Sequence, residues 1–262
     1  MKGDGMFDKL FSLLSGFRCK LIASTSKYPN SDLHACFANI KRRGFYPAHV
    51  VDIGANRGRW SEPCRKVFPK AGFTLLEPQV EMAKPLEAFC KRSGRAKWLQ
   101  MGVSDNKGEL PFVVYEDQVS STFDFDPQKN HRNCEIRDLS VTTINDLIVN
   151  HNVPVPDIVK IDAEGFEARI LRSADSIFGK TELIFLEVQL FNDDNECSML
   201  NLARRMDEVG YAVYDFSWFG RRIQDKAIAL CEVAFARKNG FLRADQSIAF
   251  AKDFSKLKKK IA

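Results

Sequence analysis

Residues 50 to 58 read V-V-D-I-G-A-N-R-G, an apolar run that stops at Asp52 and turns through Gly54 and Gly58. A buried parallel strand reads as a continuous apolar run, and glycines after it let the backbone turn tightly and approach a ligand. The ligand such a turn suits is nucleoside-like. A dinucleotide site wants G-x-G-x-x-G, whose middle glycine leaves room for a pyrophosphate, and here that slot is Asn56. A carboxylate two residues before the first glycine fits S-adenosylmethionine instead, which has no phosphate and whose cationic amino acid end a strand-end acid can help to hold. Asp52, Gly54, Ala55, Asn56 and Gly58 are therefore the expected cofactor contacts of this turn. An ordinary strand-turn-helix connection would be spelled in a similar way.

Acids recur at the ends of the later apolar runs. Glu77 closes T-L-L-E and lies where a carboxylate can take both hydroxyls of a ribose with its two oxygens; a helix-entry acid beside Pro78 is the plainer alternative. Ser104 and Asp105 follow G-V and could meet an adenine edge, although Asp105-Asn106 before Gly108 is also good turn chemistry. The densest cluster is K-I-D-A-E-G-F-E at 160–167. Asp162 and Glu164 there could orient or deprotonate a hydroxyl nucleophile, with Lys160 on the same strand face as Asp162 to tune it. Glu164 would serve equally as an acid at a helix N-terminus. Glu187 sits inside the apolar run L-I-F-L-E-V, and such an acid is expected to face a site or a paired cation.

These groups need a frame, and the alternation of patterns from Asp32 onward predicts a doubly wound α/β sheet. A helix over 32–43 stops at Gly44, followed by strands at 49–54, 72–78, 96–104, 157–163, 183–188, 211–216 and 229–237, with a short one at 139–143. Helices are expected from about Arg59, near 79–92, over 143–150, from near Gly165 and over 197–209. Residues 108–116 alternate like an exposed strand. The polar stretch 117–138, with Ser120, Ser121 and Thr122 in front and His131 and Cys134 behind, reads as a loop over the site. In an open parallel sheet, ligands lie at the carboxyl ends of the strands, where these acids fall.

The 262 residues suit one large domain. The expected division is a helical appendage over 1–31, a catalytic domain over 32–251 and a basic tail over 252–262. Net charge is uneven: residues 1–48 carry +5, residues 252–262 carry +4, and the body between them carries −4. A body of that sign argues against a nucleic-acid partner. The basic termini admit weak contact with an acidic membrane surface. Seven cysteines without a C-x-x-C suggest neither a disulfide framework nor a zinc knuckle, which makes a reducing cytoplasm the expected compartment, with room for a peripheral place on the inner face of a membrane. The apolar positions of residues 7–21 are interrupted by charges and reach neither a membrane span nor a signal-peptide core.

Taken in order, V-V-D-I-G-A-N-R-G-R-W, T-L-L-E-P, V-S-D-N-K-G, the S-S-T loop, V-T-T-I-N-D-L, D-I-V-K-I-D-A-E-G-F-E and L-I-F-L-E-V resemble the FkbM family of S-adenosylmethionine-dependent methyltransferases over roughly residues 32–240. The resemblance implies the seven-stranded class I methyltransferase fold, mostly parallel with an antiparallel last strand and helices on both faces. It implies O-methylation of a hydroxyl, on a sugar of a glycan or glycolipid precursor or on a secondary metabolite. By the same resemblance, Asp52, Gly54, Asn56, Gly58, Glu77 and Asp105 map to cofactor-facing positions, and Asp162, Glu164 and Glu187 to the acidic centre. Where that family commonly carries an aspartate in its last strand, this chain has Glu232. The segment Trp218-Phe219-Gly220-Arg221-Arg222 offers aromatics to stack on sugar rings and arginines for anionic groups, or is a plain surface loop. A divalent cation on Asp162, Glu187, Asp193 and Asp194 is admitted but not required by the spacing. A non-catalytic binding or scaffold protein is the alternative from another class, and Asn56 disfavours a nicotinamide-dependent oxidoreductase.

Overall fold

The computed structural model describes residues 32–115, 121–123, 134–191 and 196–245. The expectations for residues 1–31, for Ser120 and His131, for Asp193 and Asp194 and for the tail lie outside them. Helix α1 (Leu33–Arg42) starts where Asp32 accepts the N–H of His34 at 2.8 Å, and it buries Cys36, Phe37 and Ile40. A side-chain acceptor before an apolar stripe is a common way for a helix to begin. Strand β1 (His49–Ile53), α2 (Ser61–Val67), β2 (Gly72–Leu76), α3 (Ala83–Ser93) and β3 (Ala96–Leu99) then wind outward from β1.

The expected strand over 96–104 is in fact two. The chain leaves the main sheet after Leu99, and β4 (Gly102–Val103) pairs with β6 (Cys134–Thr142), whose other neighbour is β5 (Gly108–Tyr115). Cys134 to Asp138 thus belong to a strand and not to the expected loop, held by antiparallel pairing with β5 from Cys134↔Tyr115 onward. Polar residues suit it because most of this strand is exposed.

After α4 (Ile144–Val149), β7 (Ile158–Ile161) returns to the far side of β1. Helix α5 (Glu167–Arg172), β8 (Leu183–Gln189), α6 (Met199–Glu208), β9 (Tyr211–Arg221) and β10 (Ile228–Arg237) complete the order β3-β2-β1-β7-β8-β10-β9. Strands β1, β2, β3, β7 and β8 are parallel, and β10 runs antiparallel to both of its neighbours. The Trp218–Arg221 segment extends β9 and is not a loop.

The sheet is covered on both faces, so its strands alternate between two apolar layers. Val51, Ile53, Val159, Ile161, Ile184 and Leu186 pack into one layer, with Val50, Ile158, Leu183 and Phe185 in the other. The period of two sends Asp52, Lys160, Glu187 and Glu232 to the second face, which α1, α2 and α3 cover. Asp52 is in register with Lys160, and Glu187 with Glu232, so four ionisable side chains lie along the carboxyl ends of β1, β7 and β8 and the adjoining part of β10. The crevice between β1 and β7 is the switch point of the topology.

Candidate active site

The turn after β1 is held by neighbouring backbone. The N–H groups of Gly54 and Ala55 both donate to the Leu76 carbonyl at 3.0 Å, and the Asp162 N–H donates to the Ile53 carbonyl at 3.2 Å. Gly54 has φ +72°, and a Cβ on it would lie 1.8 Å from the Asp162 carbonyl oxygen. Only glycine lets β1 and β7 end this close together. Asn56 also has positive φ, and its N–H donates to Glu77 at 2.8 Å.

Glu77 is buried, and its other oxygen accepts the N–H of Gln79 at 3.0 Å. Burial pushes the Glu77 carboxyl up, against the donors of Gln79 and Asn56 and the charge of Lys160. Gly54, Asn56 and Glu77 line a cavity whose apolar walls are Ile53, Leu76, Met101, Phe112 and Phe123, and which Asp162 and Glu164 also line. Of the S-S-T stretch, Ser121 lines this cavity and the Thr122 hydroxyl donates to the Glu164 carbonyl at 2.9 Å.

A second, larger cleft of about 740 Å³ opens on the α1 and α2 side. Its walls include Trp60, Asp162, Glu164, Glu187, Ser217, Trp218 and Glu232. Asp162 and Glu164 border both spaces, so the two meet at these acids. Lys160 is buried beneath the junction, donating to the Gly54 carbonyl at 2.8 Å, with its ammonium 3.1 Å from Asp162 and 3.4 Å from Asp52. Burial pulls the Lys160 ammonium down, but the charges of Asp162, Asp52 and Glu232 outweigh it and hold it above the usual lysine range.

Burial, with Asp162, Glu164 and Glu167 nearby, pushes Glu187 up to about 9, only partly offset by Lys160. Glu232, bonded to the Ser217 hydroxyl and lying beside the Trp60 indole, is pushed up to about 7 mainly by burial. The carboxylate oxygens of Asp162, Glu164 and Glu187 lie within 4.8 Å of one another, a spacing that a divalent cation could bridge.

Several expected contacts fall elsewhere. Asp52 is fully buried, accepts a hydrogen bond from Ser61 at 2.6 Å and pairs with Lys160. It lies under the turn and not in the cavity, because the alternation that turns Ile53 to one face turns Asp52 to the other. Ala55 is sealed in the layer below, and a Cβ on Gly58 would point at Leu86 and Phe89 of α3. Ser104 is buried in the β4–β6 junction, its N–H on the Thr142 carbonyl at 2.8 Å. Asp105 is taken by Arg169 at 2.8 Å and Arg172 at 3.5 Å, and the Arg169 guanidinium holds its carboxyl down at about 2. The chain segment that does line the cavity there is Met101, Gly102 and Val103.

Glu167, the last acid of the K-I-D-A-E-G-F-E cluster, is buried and accepts the N–H groups of Ala163 at 2.8 Å and Gly165 at 3.3 Å. It shapes the loop that carries Asp162 and Glu164. Trp60 and Ser217 are not among the sequence candidates; Trp60 closes the V-V-D-I-G-A-N-R-G-R-W motif, but only the packing of α2 and β9 beside β10 brings the two to the cleft.

A parallel sheet in this order with one antiparallel strand, and a glycine turn at its switch point, define a class I methyltransferase fold. The chain belongs to the FkbM methyltransferases: the model of the methyltransferase FkbM domain matches residues 52–213. A relative from Haloferax volcanii, the hexuronic acid methyltransferase AglP, is 23% identical over 152 residues, which is 57% of this chain and 59% of that protein. The chain thus spans less than two thirds of the length of this curated relative. Among solved structures, the methyltransferase FkbM from Methylobacillus flagellatus KT aligns with a TM-score of 0.48 at 16% identity, covering 71% of this chain and 43% of that one. The O-methyltransferase NcsB1 of neocarzinostatin biosynthesis, solved with S-adenosyl-L-homocysteine and 1,4-dihydroxy-2-naphthoic acid, aligns at 0.41 and 14% identity, covering 90% and 62%. Among the described residues no helix is long and apolar enough to cross a membrane.

Proposed function

We propose that this protein is an S-adenosylmethionine-dependent O-methyltransferase whose acceptor is a hydroxyl on a sugar of a glycan or glycolipid precursor. The observation that carries the reading is the meeting of two cavities at Asp162 and Glu164. S-adenosylmethionine suits the first by chemistry. Glu77 presents a buried carboxylate for ribose hydroxyls, the Met101 and Phe112 side forms an apolar slot for a base, and Asp162 and Glu164 bring negative charge to the end where a cation would sit. When bound, this cofactor supplies an electrophilic methyl group.

The chain's own residues then have separable tasks. Lys160 fixes the Gly54 carbonyl and the Asp162 carboxylate relative to each other, which sets the width of the junction. Asp162 and Glu164 are the acids positioned to orient an acceptor hydroxyl and take up its proton, because they border both spaces. Glu187 keeps its proton near neutrality and would serve as a donor to a neighbouring hydroxyl. A sugar acceptor is in keeping with the hexuronic acid named for the Haloferax relative, which supports the class of acceptor and not its identity.

Isothermal titration with S-adenosylhomocysteine tests the cofactor half. Wild type is expected to bind, and Glu77→Ala to lose at least tenfold in affinity while Asp105→Asn stays close to wild type. Absence of binding, or an unchanged Glu77→Ala, would overturn the assignment. Labelled S-adenosylmethionine with fractionated glycan and lipid extracts tests the other half, through which fraction takes up label.

A further inference from the structure

The outer wall of the acceptor cleft is built from the β9–β10 pair, and its two chemical halves point different ways. Trp218 lines the cleft, opposite Glu232 in the strand register, and remains 47% exposed. Gly220 is its seat. A Cβ there would lie 2.7 Å from the far edge of the Trp218 ring, so the missing side chain lets the indole lie along the strand. The arginines of the same segment do not line the cleft. Arg221 donates to the Lys226 carbonyl at 2.8 Å, and Arg222 lies 4.3 Å over the Phe191 ring with Asp225 at 3.5 Å.

The charge of the remaining wall is one-sided. Five acids line the cleft, Asp32, Asp162, Glu164, Glu187 and Glu232, and the one cationic residue among the described lining is the exposed Arg59. We infer that the acceptor is an uncharged sugar ring seated against Trp218 and that the cleft turns away uronates, an inference that rests on the methyl-transfer reading above. A sugar presents an apolar C–H face and a polar rim, which match an aromatic face bordered by hydroxyl and carboxyl acceptors. A uronate would bring its carboxylate against Asp162 and Glu164, with the exposed Arg59 as the one described lining cation to offset them, and repulsion of that kind is how sites reject a close relative of their ligand.

The test is an array of immobilised glycans bearing neutral, amino and uronic sugars, probed with the full chain loaded with S-adenosylhomocysteine. Neutral glycans are expected to retain the protein. Trp218→Ala should weaken that retention roughly three- to tenfold, and Trp218→Phe should keep most of it. Gly220→Ala, which pushes the indole off its seat while leaving it in the chain, should weaken it as well. S-adenosylhomocysteine affinity should stay at the wild-type value in all three, which separates loss of the sugar wall from loss of the fold. Retention on uronic or amino glycans as strong as on neutral ones, no glycan bound by cofactor-loaded protein, or full retention by Trp218→Ala would each overturn the inference. Failure of wild type to bind S-adenosylhomocysteine would sink the methyl-transfer reading itself.

Discussion

Replacing Gly54 with alanine should damage this protein far more than the same change at Gly58, although both glycines have φ +72°. The left-handed conformation costs alanine roughly 1–2 kcal/mol at either position. At Gly58 that is nearly the whole cost, since the nearest atoms to the new Cβ, on Leu86 and Phe89, are 3.6 Å away. At Gly54 the Cβ would be 1.8 Å from the Asp162 carbonyl oxygen. Non-bonded carbons rest about 3.5 Å from their neighbours, so the ends of β1 and β7 must part by roughly 1–2 Å. Overpacking of this kind adds roughly 1–3 kcal/mol, for a total of roughly 2–5 kcal/mol.

The displacement also falls where it matters for ligand binding, because Gly54 and Asp162 both line the cavity and Lys160 ties them together. Urea unfolding followed by circular dichroism gives the stability difference, and calorimetric titration gives the affinity for S-adenosylhomocysteine. The expected result is a modest loss of stability with wild-type affinity for Gly58→Ala, and a larger loss with at least tenfold weaker binding for Gly54→Ala. Equal stability losses together with unchanged affinity in both variants would refute the argument, since it would mean that the close approach of Gly54 to Asp162 does not set the shape of the cavity.

Lys160→Met leaves Asp52 and Asp162 without their shared cation, and breaking a buried ion pair costs about 3–5 kcal/mol; adding Asp52→Asn should recover part of the loss in urea unfolding, and no recovery would show that Asp52 is not the stranded charge. Asp105 titrates at about 2 in the folded state because Arg169 holds its carboxyl down, so its contribution is present above the ordinary aspartate range and fades as pH falls through about 2. Asp105→Asn should therefore be less stable than wild type at pH 6, with the gap closing in strong acid, and a gap that does not depend on pH would rule the ion pair out as its cause.

Much of the fold was legible because its elements announce themselves locally. Asp32 and Gly44 bracket the helix over Leu33–Arg42, V-V-D-I-G and I-V-K-I are apolar runs each broken by a single charge, close to the near-continuous runs of buried parallel strands, and their order carried the family resemblance. Boundaries failed where partners are remote. The run from Ala96 to Ser104 has one apolar pattern but serves two sheets, a division made by pairing with β2 on one side and with β6 on the other. Cys134 to Asp138 look like loop because their partner strand, and not their composition, makes them a strand.

The chain's order of residues was enough to place acids and glycines at strand ends and to suggest a methyl donor, since the alternation of two and the turn preferences of glycine act over a few residues. Tertiary structure alone decided which of those groups meet. Glu77 faces the cavity while Asp52, the acid closest in sequence to the glycine turn, is spent beneath it on Lys160 and Ser61, 108 and 9 residues away in sequence. Arg169 claims Asp105 across 64 positions, and the register of β10 on β8 sets Glu232 against Glu187. A carboxylate's environment is made by charges and burial within a few ångströms, and in a doubly wound sheet those neighbours come from strands that the sequence keeps far apart.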